Sequence, residues 1–162
     1  RAEVVCGERG AAAMAVVNFT LDGVPLLYNG QEIGDTSPQS IYARWPVGWA
    51  ASCLPKPAAK LAFHKELCRL RRGEAALHRG EVVWLENDQP DAALSFLRRA
   101  GGEEILVVAS LSNRKVRVGV VLQEGRAAKY GPLLEDQAKA SVVGGKFFAD
   151  LGAFGYVVGK RQ

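Results

Sequence analysis

The stretch Gly23-Val24-Pro25-Leu26-Leu27-Tyr28-Asn29-Gly30-Gln31-Glu32-Ile33-Gly34 limits the possible folds of this chain more than any other. Residues 24–28 form a short, almost wholly apolar run. Such a run suits a parallel strand covered on both faces, not the strand of an exposed hairpin. Pro25 near its start is compatible with that role. The run ends abruptly in a small polar turn carrying an amide, Gln31, and a carboxylate, Glu32. Upstream, residues 8–21 read as a helix. Ala11, Ala12, Ala15, Val16 and Phe19 make an apolar stripe near the 3.6-residue period, and Gly23 stops it. Helix, short turn and buried strand together make an αβ unit. The sequence offers no second run of this kind to serve as the parallel neighbour such a strand requires.

Beyond this unit the pattern changes twice. Residues 29–57 are irregular and hold Pro38, Pro46, Pro55, Pro57, Trp45 and Trp49. A structureless loop of this length is uncommon in a compact domain unless it is functional. Residues 58–72 then read as a helix, with Ala59, Phe63, Leu67 and Leu70 on one face, Pro57 at its start and Gly73 at its end. Lys65, Glu66, Arg69 and Arg72 are expected to face mainly outward. From Gly80 onward, runs of β-formers (81–85, 93–99, 104–110, 116–122, 129–134, 146–149 and 156–159) alternate with turn signals. The turns fall at Asn87-Asp88, Gly101-Gly102, Ser112-Asn113, Gly125 and Gly144-Gly145. That rhythm predicts an antiparallel β-sandwich.

Three segments resemble the α-amylase family of glycoside hydrolases, in the right order and across essentially the whole chain. The stretch from Gly23 to Glu32 is similar to that family's G-x-P-x-x-Y-x-G-x-E segment around the eighth barrel strand. Leu67-Cys68-Arg69-Leu70-Arg71, followed by Ala76-Leu77 and Gly80, resembles its last barrel helix and exit. The β-rich remainder resembles in place and size the small sandwich that closes many members. The fold this implies is α/β plus all-β. Residues 1–76 would be the last helix–strand–helix portion of a (β/α)₈ TIM barrel, and residues 77–162 a C-terminal antiparallel β-sandwich. Many members carry an N-H-D motif with an Arg three residues later, and Arg1 matches that Arg.

The resemblance also implies an activity: hydrolysis or transfer of α-glucosidic bonds by a retaining mechanism. That chemistry needs two carboxyl groups about 5 Å apart across the scissile bond. In the family these groups precede the matched segments, so no catalytic residue is expected in this chain, and the chain alone is expected to be inactive. The expected partners are an α-glucan or maltooligosaccharide, met through the parent enzyme, and the missing N-terminal barrel portion. Calcium is used by some members at upstream sites; this chain has no acidic cluster to bind it, and no cofactor is expected here.

Individual residues admit two readings each. Glu32 and Gln31, just past the strand's carboxyl end, and Tyr28 are structural groups at a barrel rim, with Glu32 accepting hydrogen bonds from backbone or an Arg, or else they touch substrate. Trp45 and Trp49 either stack on sugar rings or plug the loop against the barrel. Arg1 is a candidate substrate-binding residue. Asp22 lies at the wrong end of the strand for catalysis, and Asp35 is expected in solvent. His64 is expected at the surface. Phe147, Phe148, Phe154 and Tyr156 are expected in the sandwich core. The alternative function is a non-catalytic carbohydrate-binding or structural module, or a family relative without activity.

Bulk properties narrow the classes further. An apolar content of 48% and a charged content of 23% suit a soluble globular protein. The net charge of +4 is spread along the chain, and the cluster Arg69, Arg71, Arg72 reads as a solvated face. No aromatic residues interleave with basic ones as base stacking requires, so nucleic acid is not an expected partner. No apolar run approaches the roughly 20 residues that span a membrane, and the first residues do not resemble a signal peptide. Cys6, Cys53 and Cys68 form no CxxC pair, and with His64 and His78 they have no zinc spacing. Their odd number favours free thiols and leans toward a cytoplasmic setting. In isolation, residues 1–76 are expected to be poorly ordered or self-associating, and residues 78–162 to fold.

Overall fold

Strand alternation in the second half puts apolar side chains on both faces of one sheet, and both faces are buried. The computed structural model describes residues 1–38, 40, 42, 44–122, 129–144 and 146–162. Its strands are β1 (Glu81–Trp84), β2 (Ala93–Ala100), β3 (Glu103–Ser110), β4 (Val116–Val120), β5 (Tyr130–Val143) and β6 (Lys146–Arg161). They form a single antiparallel sheet in the order β1-β2-β3-β6-β4, with β5 also on β6. The β2–β3 hairpin turns at Gly101 and Gly102, at φ 54° and 88°. Two successive positive φ values match the twist of a two-residue hairpin, and glycine adopts them without strain.

The sheet becomes a sandwich because β6 bends. Its last part pairs with β3, from Ile105↔Lys160 to Ala109↔Tyr156, and its first part pairs with β4, from Val116↔Leu151 to Val120↔Phe147. β5 follows both parts, with register shifts between Pro132 and Leu134 and between Asp136 and Ala138. Phe154 and Gln137 at the bend have φ of 55° and 49°. Bulges of this kind bend a strand and increase its twist. The sequence expectation of separate strands at 146–149 and 156–159 is therefore corrected to one curled strand, and 129–134 extends to Val143. Gly152 and Gly155 interrupt the alternation that would have joined them. The expected turns at Gly125 and Gly145 lie outside the described residues.

Inside the curl, Leu97, Leu106, Val108, Val118, Phe147, Leu151 and Val157 form one core. The other face, with Phe96, Ile105, Val107, Ala109, Tyr156 and Val158, packs on helices. These are α1 (Ala2–Thr20), α2 (Pro55–Gly73) and α3 (Ala75–Arg79), which contribute Ala13, Val16, Phe19, Leu67, Ala76 and Leu77. Of the four aromatics expected in the sandwich core, Phe147 is there, Phe154 and Tyr156 pack on the helical side, and Phe148 lies under the Arg117 guanidinium.

The helices differ from expectation in instructive ways. α1 begins at Ala2 and bends at Gly7, whose φ of 70° and ψ of 177° are non-helical. Residues 24–28 are not a strand: they have no regular secondary structure and no ladder partners among the described residues, and Val24, Leu26 and Tyr28 are 93%, 74% and 51% exposed. A strand exists only through its neighbours' hydrogen bonds, and among the described residues none pairs with this run. Two residues expected at the surface are buried. His64 donates from Nδ1 to the Lys60 carbonyl at 2.9 Å. Arg71 donates to the carbonyls of Phe19 and Leu21, at 2.7 Å each. Reading helix faces from apolar residues alone misplaces polar groups whose partners are backbone carbonyls, on the same helix for His64 and on a distant segment for Arg71. Among the described residues no helix is long and apolar enough to cross a membrane, and Cys6, Cys53 and Cys68 are free.

Candidate functional site

A cleft of about 660 Å³ opens between the first turns of α1, the turn after residue 28, and α2. Its walls include Arg1, Glu3, Tyr28, Asp35, Lys60 and His64. The polar turn following Tyr28 supplies one wall because its glycines let it fold tightly. Gly30, at φ 84°, leaves no room for a side chain: a Cβ would lie 3.0 Å from both Asp35 and Val47. A short 3₁₀ turn, Gln31–Ile33, follows.

Arg1 organises this turn. Its Nη2 donates to Asp35 Oδ2 at 2.7 Å, its Nη1 to the Asn29 carbonyl at 2.9 Å, and its guanidinium carbon lies 5.1 Å from the Tyr28 ring centroid. The Ser37 hydroxyl donates to the other oxygen of Asp35 at 2.7 Å. Asp35, expected in solvent, is thus mostly buried and fully engaged. Guanidinium, carboxylate and phenol ring form one cluster, a combination that holds a planar cation from two sides.

On the opposite wall, Lys60 pairs with Glu3 and, at 3.3 Å, with Glu8. Partial burial alone lowers the Lys60 pKa, but hydrogen bonds and charge from the two glutamates outweigh it and raise the pKa. Every carboxylate lining the cleft (Glu3, Glu8 and Asp35) therefore has a cationic partner. Among the described residues the cleft presents paired charges, a polar surface able to exchange hydrogen bonds.

The remaining sequence candidates lie around it. Gln31 lines the cleft, and its Oε1 accepts from the Tyr28 amide at 3.3 Å, closing the turn locally. Glu32 points to the other side of the turn, into a second hollow of about 430 Å³ shared with Leu27, His64 and Cys68. Glu32 Oε2 and His64 Nε2 are both buried without a hydrogen-bond partner among the described residues. Because the Lys60 carbonyl can only accept, the proton of a neutral His64 sits on Nδ1 and Nε2 is an acceptor. Trp45 and Trp49 are about half exposed and do not line the cleft. The structure brings Arg1, Tyr28 and Gln31 together and leaves Glu32, Trp45 and Trp49 apart. Sequence reasoning missed Glu3, Glu8, Lys60 and the role of Asp35. The partners stand 34 to 57 residues apart, and no spacing rule connects them. Among the described residues, no three His, Cys, Asp or Glu side chains group as a metal site would require.

No family model matches the chain. Its sequence is 32% identical over 120 residues to neopullulanase 2 of Thermoactinomyces vulgaris, an alignment covering 73% of this chain and 20% of that protein. It is 24% identical over 110 residues to α-amylase 2 of Dictyoglomus thermophilum, covering 62% of this chain and 18% of that protein. Its fold matches the crystal structure of a noncanonic maltogenic α-amylase from Thermotoga neapolitana with a TM-score of 0.76 at 20% identity, covering 96% of this chain and 37% of that one. The chain spans about a fifth of the length of the curated relatives it matches.

Proposed function

The chain belongs to the α-amylase family, and we propose that it is the closing portion of an enzyme that hydrolyses or transfers α-glucosidic bonds. Residues 1–76 supply the last helix, strand and helix of a TIM barrel, and residues 77–162 the C-terminal sandwich. The observation that carries this reading is the state of residues 24–28. An apolar run that leads into a polar turn, with no ladder partner among the described residues and with Val24 and Leu26 in solvent, has the form of a parallel strand whose neighbours belong to other polypeptide. Unpaired strand edges and exposed apolar patches are unfavourable unless something covers them.

The reacting carboxylates of a retaining mechanism then belong to the remaining four-fifths of the enzyme. The ion pairing of Glu3, Glu8 and Asp35 fits that assignment. This chain contributes to the barrel rim through Tyr28, Gln31 and the Arg1 cluster, and to sugar stacking through Trp45 and Trp49, whose exposed rings suit the flat apolar faces of pyranoses. Calcium, where the enzyme uses it, is held by other segments. The three free thiols fit a reducing compartment such as the cytoplasm. A second reading, a non-catalytic carbohydrate-binding module, is favoured by the same two tryptophans.

The test compares the 162-residue chain with the product of the reading frame extended upstream of Arg1, both assayed on maltooligosaccharides. The longer protein is expected to release sugar with the anomeric configuration retained, and the short chain to release none. Turnover by the short chain overturns the proposal. Saturable maltoheptaose binding by the short chain, with no turnover by the longer protein, moves the assignment to the binding module.

A further inference from the structure

The end of α1 lacks the groups that usually finish a helix. Its last turn carries no basic residue, although the final carbonyls of a helix have no partners within it and form the negative end of its dipole. The Thr20 hydroxyl reaches back only to the carbonyls of Val16 and Val17, at 2.7 and 3.3 Å, and not to those of the last residues. Two arginines from distant elements do so instead. Arg71 of α2 donates to the carbonyls of Phe19, Leu21 and Gly23. Arg98 of β2 donates through Nη1 to the Thr20 carbonyl at 2.8 Å and through Nη2 to the Gly80 carbonyl at 2.7 Å.

We propose that Arg98 is a positioning residue through which the sandwich sets the direction in which residues 24–28 leave α1. The polypeptide leaves the helix between Leu21 and Gly23, and the two guanidiniums hold its carbonyls there. Arg98 reaches it from the sheet and at the same time grips the junction of α3 and β1. That junction is tight: a Cβ on Gly80 would fall 2.3 Å from the Ala76 carbonyl oxygen and 2.6 Å from that of Arg99. Downstream, Asn18 Nδ2 donates to the Leu26 carbonyl at 3.0 Å, and two residues later Tyr28 meets Arg1. A residue with no atom in the cleft thereby governs where one wall of the cleft stands.

The arrangement is costly by itself, which is an argument for its purpose. Arg98 is 1% exposed and its Nε has no hydrogen-bond partner among the described residues. Burial depresses the pKa of both guanidiniums, Arg71 depresses that of Arg98 further, and the charge of Asp22 works against these effects. Two neighbouring buried cations are maintained only if their hydrogen bonds are worth more than their separation. The forked guanidinium can serve two carbonyls in different directions at once, which a lysine ammonium on its single stem does poorly.

The inference rests on the proposed function only in naming residues 24–28 a barrel strand; the contact stands without it. The experiment is amide hydrogen exchange, read by NMR in the 162-residue chain. Arg98→Lys keeps the charge and removes the fork. It is expected to speed exchange at Phe19, Thr20 and Leu21 about tenfold, the loss of roughly one net hydrogen bond, with Val107 and Val158 in the sheet unchanged. Arg71→Lys is expected to act on the same three amides. Should Arg98→Lys fail to fold, the Arg71 variant and the backbone chemical shifts of residues 21–26 carry the test. Uniform acceleration across sheet and helix, or no change at residues 19–21, overturns the proposal and leaves Arg98 a buried cation without a positioning role. Absence of α-glucan turnover by the longer protein would defeat the functional reading and leave this result untouched.

Discussion

The sheet and the segment from Thr20 to Leu26 satisfy their backbones in opposite ways. In β2, β3 and β6 the ladder pairs neighbouring strands, and both faces are buried in apolar cores. Between Thr20 and Leu26 the carbonyls that are held go instead to side chains: Arg98 takes that of Thr20, Arg71 those of Leu21 and Gly23, and Asn18 that of Leu26. Structure of the first kind follows from local alternation and turns. Structure of the second kind exists only when several distant groups are in place, and here it holds ready a segment that lacks strand partners.

Four changes break or sharpen this contrast. The largest effect is expected from deleting residues 1–76. The helices cover Phe96, Ile105, Val107, Ala109, Tyr156 and Val158, so the remaining sheet loses one of its two cores. The sequence alone suggests that residues 78–162 fold independently; the shared core predicts loss of a cooperative calorimetric transition and strong binding of an apolar dye. A sharp transition with no dye binding would show that the sheet needs only its inner core.

Next in size is Leu67→Ala in α2, at a fully buried site. It is expected to cost about 2–5 kcal/mol in denaturant titration, with sheet and helix signals shifting together if the core is one unit. Separate midpoints for the two signals would contradict that unity.

A smaller effect is expected from acid at the α3–sheet contact. Glu103 accepts from the Ala76 amide at 2.9 Å and lies 3.4 Å from Lys160. Partial burial raises its pKa, but that amide and Lys160 outweigh it and hold the pKa below the usual carboxylate value. A group depressed in the folded state stabilises above its unfolded pKa of about 4.3 and loses that contribution as pH falls through the folded value. Solvent screening keeps the contribution under about 1 kcal/mol. Glu103→Gln should flatten the stability profile on the acid side, which denaturation at stepped pH would reveal.

The smallest effect on stability is expected from Val24→Ser with Leu26→Ser: within about 0.5 kcal/mol, as for other exposed positions. Their consequence should appear in light scattering as reduced self-association. A loss of several kcal/mol would mean that the segment is already packed in solution.

The sequence made the sheet legible where alternation and glycine turns agree, as in the Gly101-Gly102 hairpin. It failed at the bend of β6, where 146–149 and 156–159 read as two separate runs although the strand continues from Lys146 to Arg161. The character of residues 24–28 was legible from composition, but their pairing was not, because pairing is a property of neighbours. Residues Tyr28 and Gln31 were found at the cleft through their place after an apolar run. Arg71 and His64 were misplaced because their partners are carbonyl oxygens, which carry no sequence signature. Asp35 was read as a solvated loop residue because Arg1 stands 34 positions away.

The most direct test of the account is amide exchange at Leu26 and Leu27, measured in the 162-residue chain and again in the product of the extended reading frame. If residues 24–28 are a barrel strand separated from its neighbours, both amides exchange at nearly unprotected rates in the short chain and are protected by orders of magnitude in the longer protein. Equal, rapid exchange in both proteins would show that the segment never joins a sheet and would contradict its assignment to a barrel.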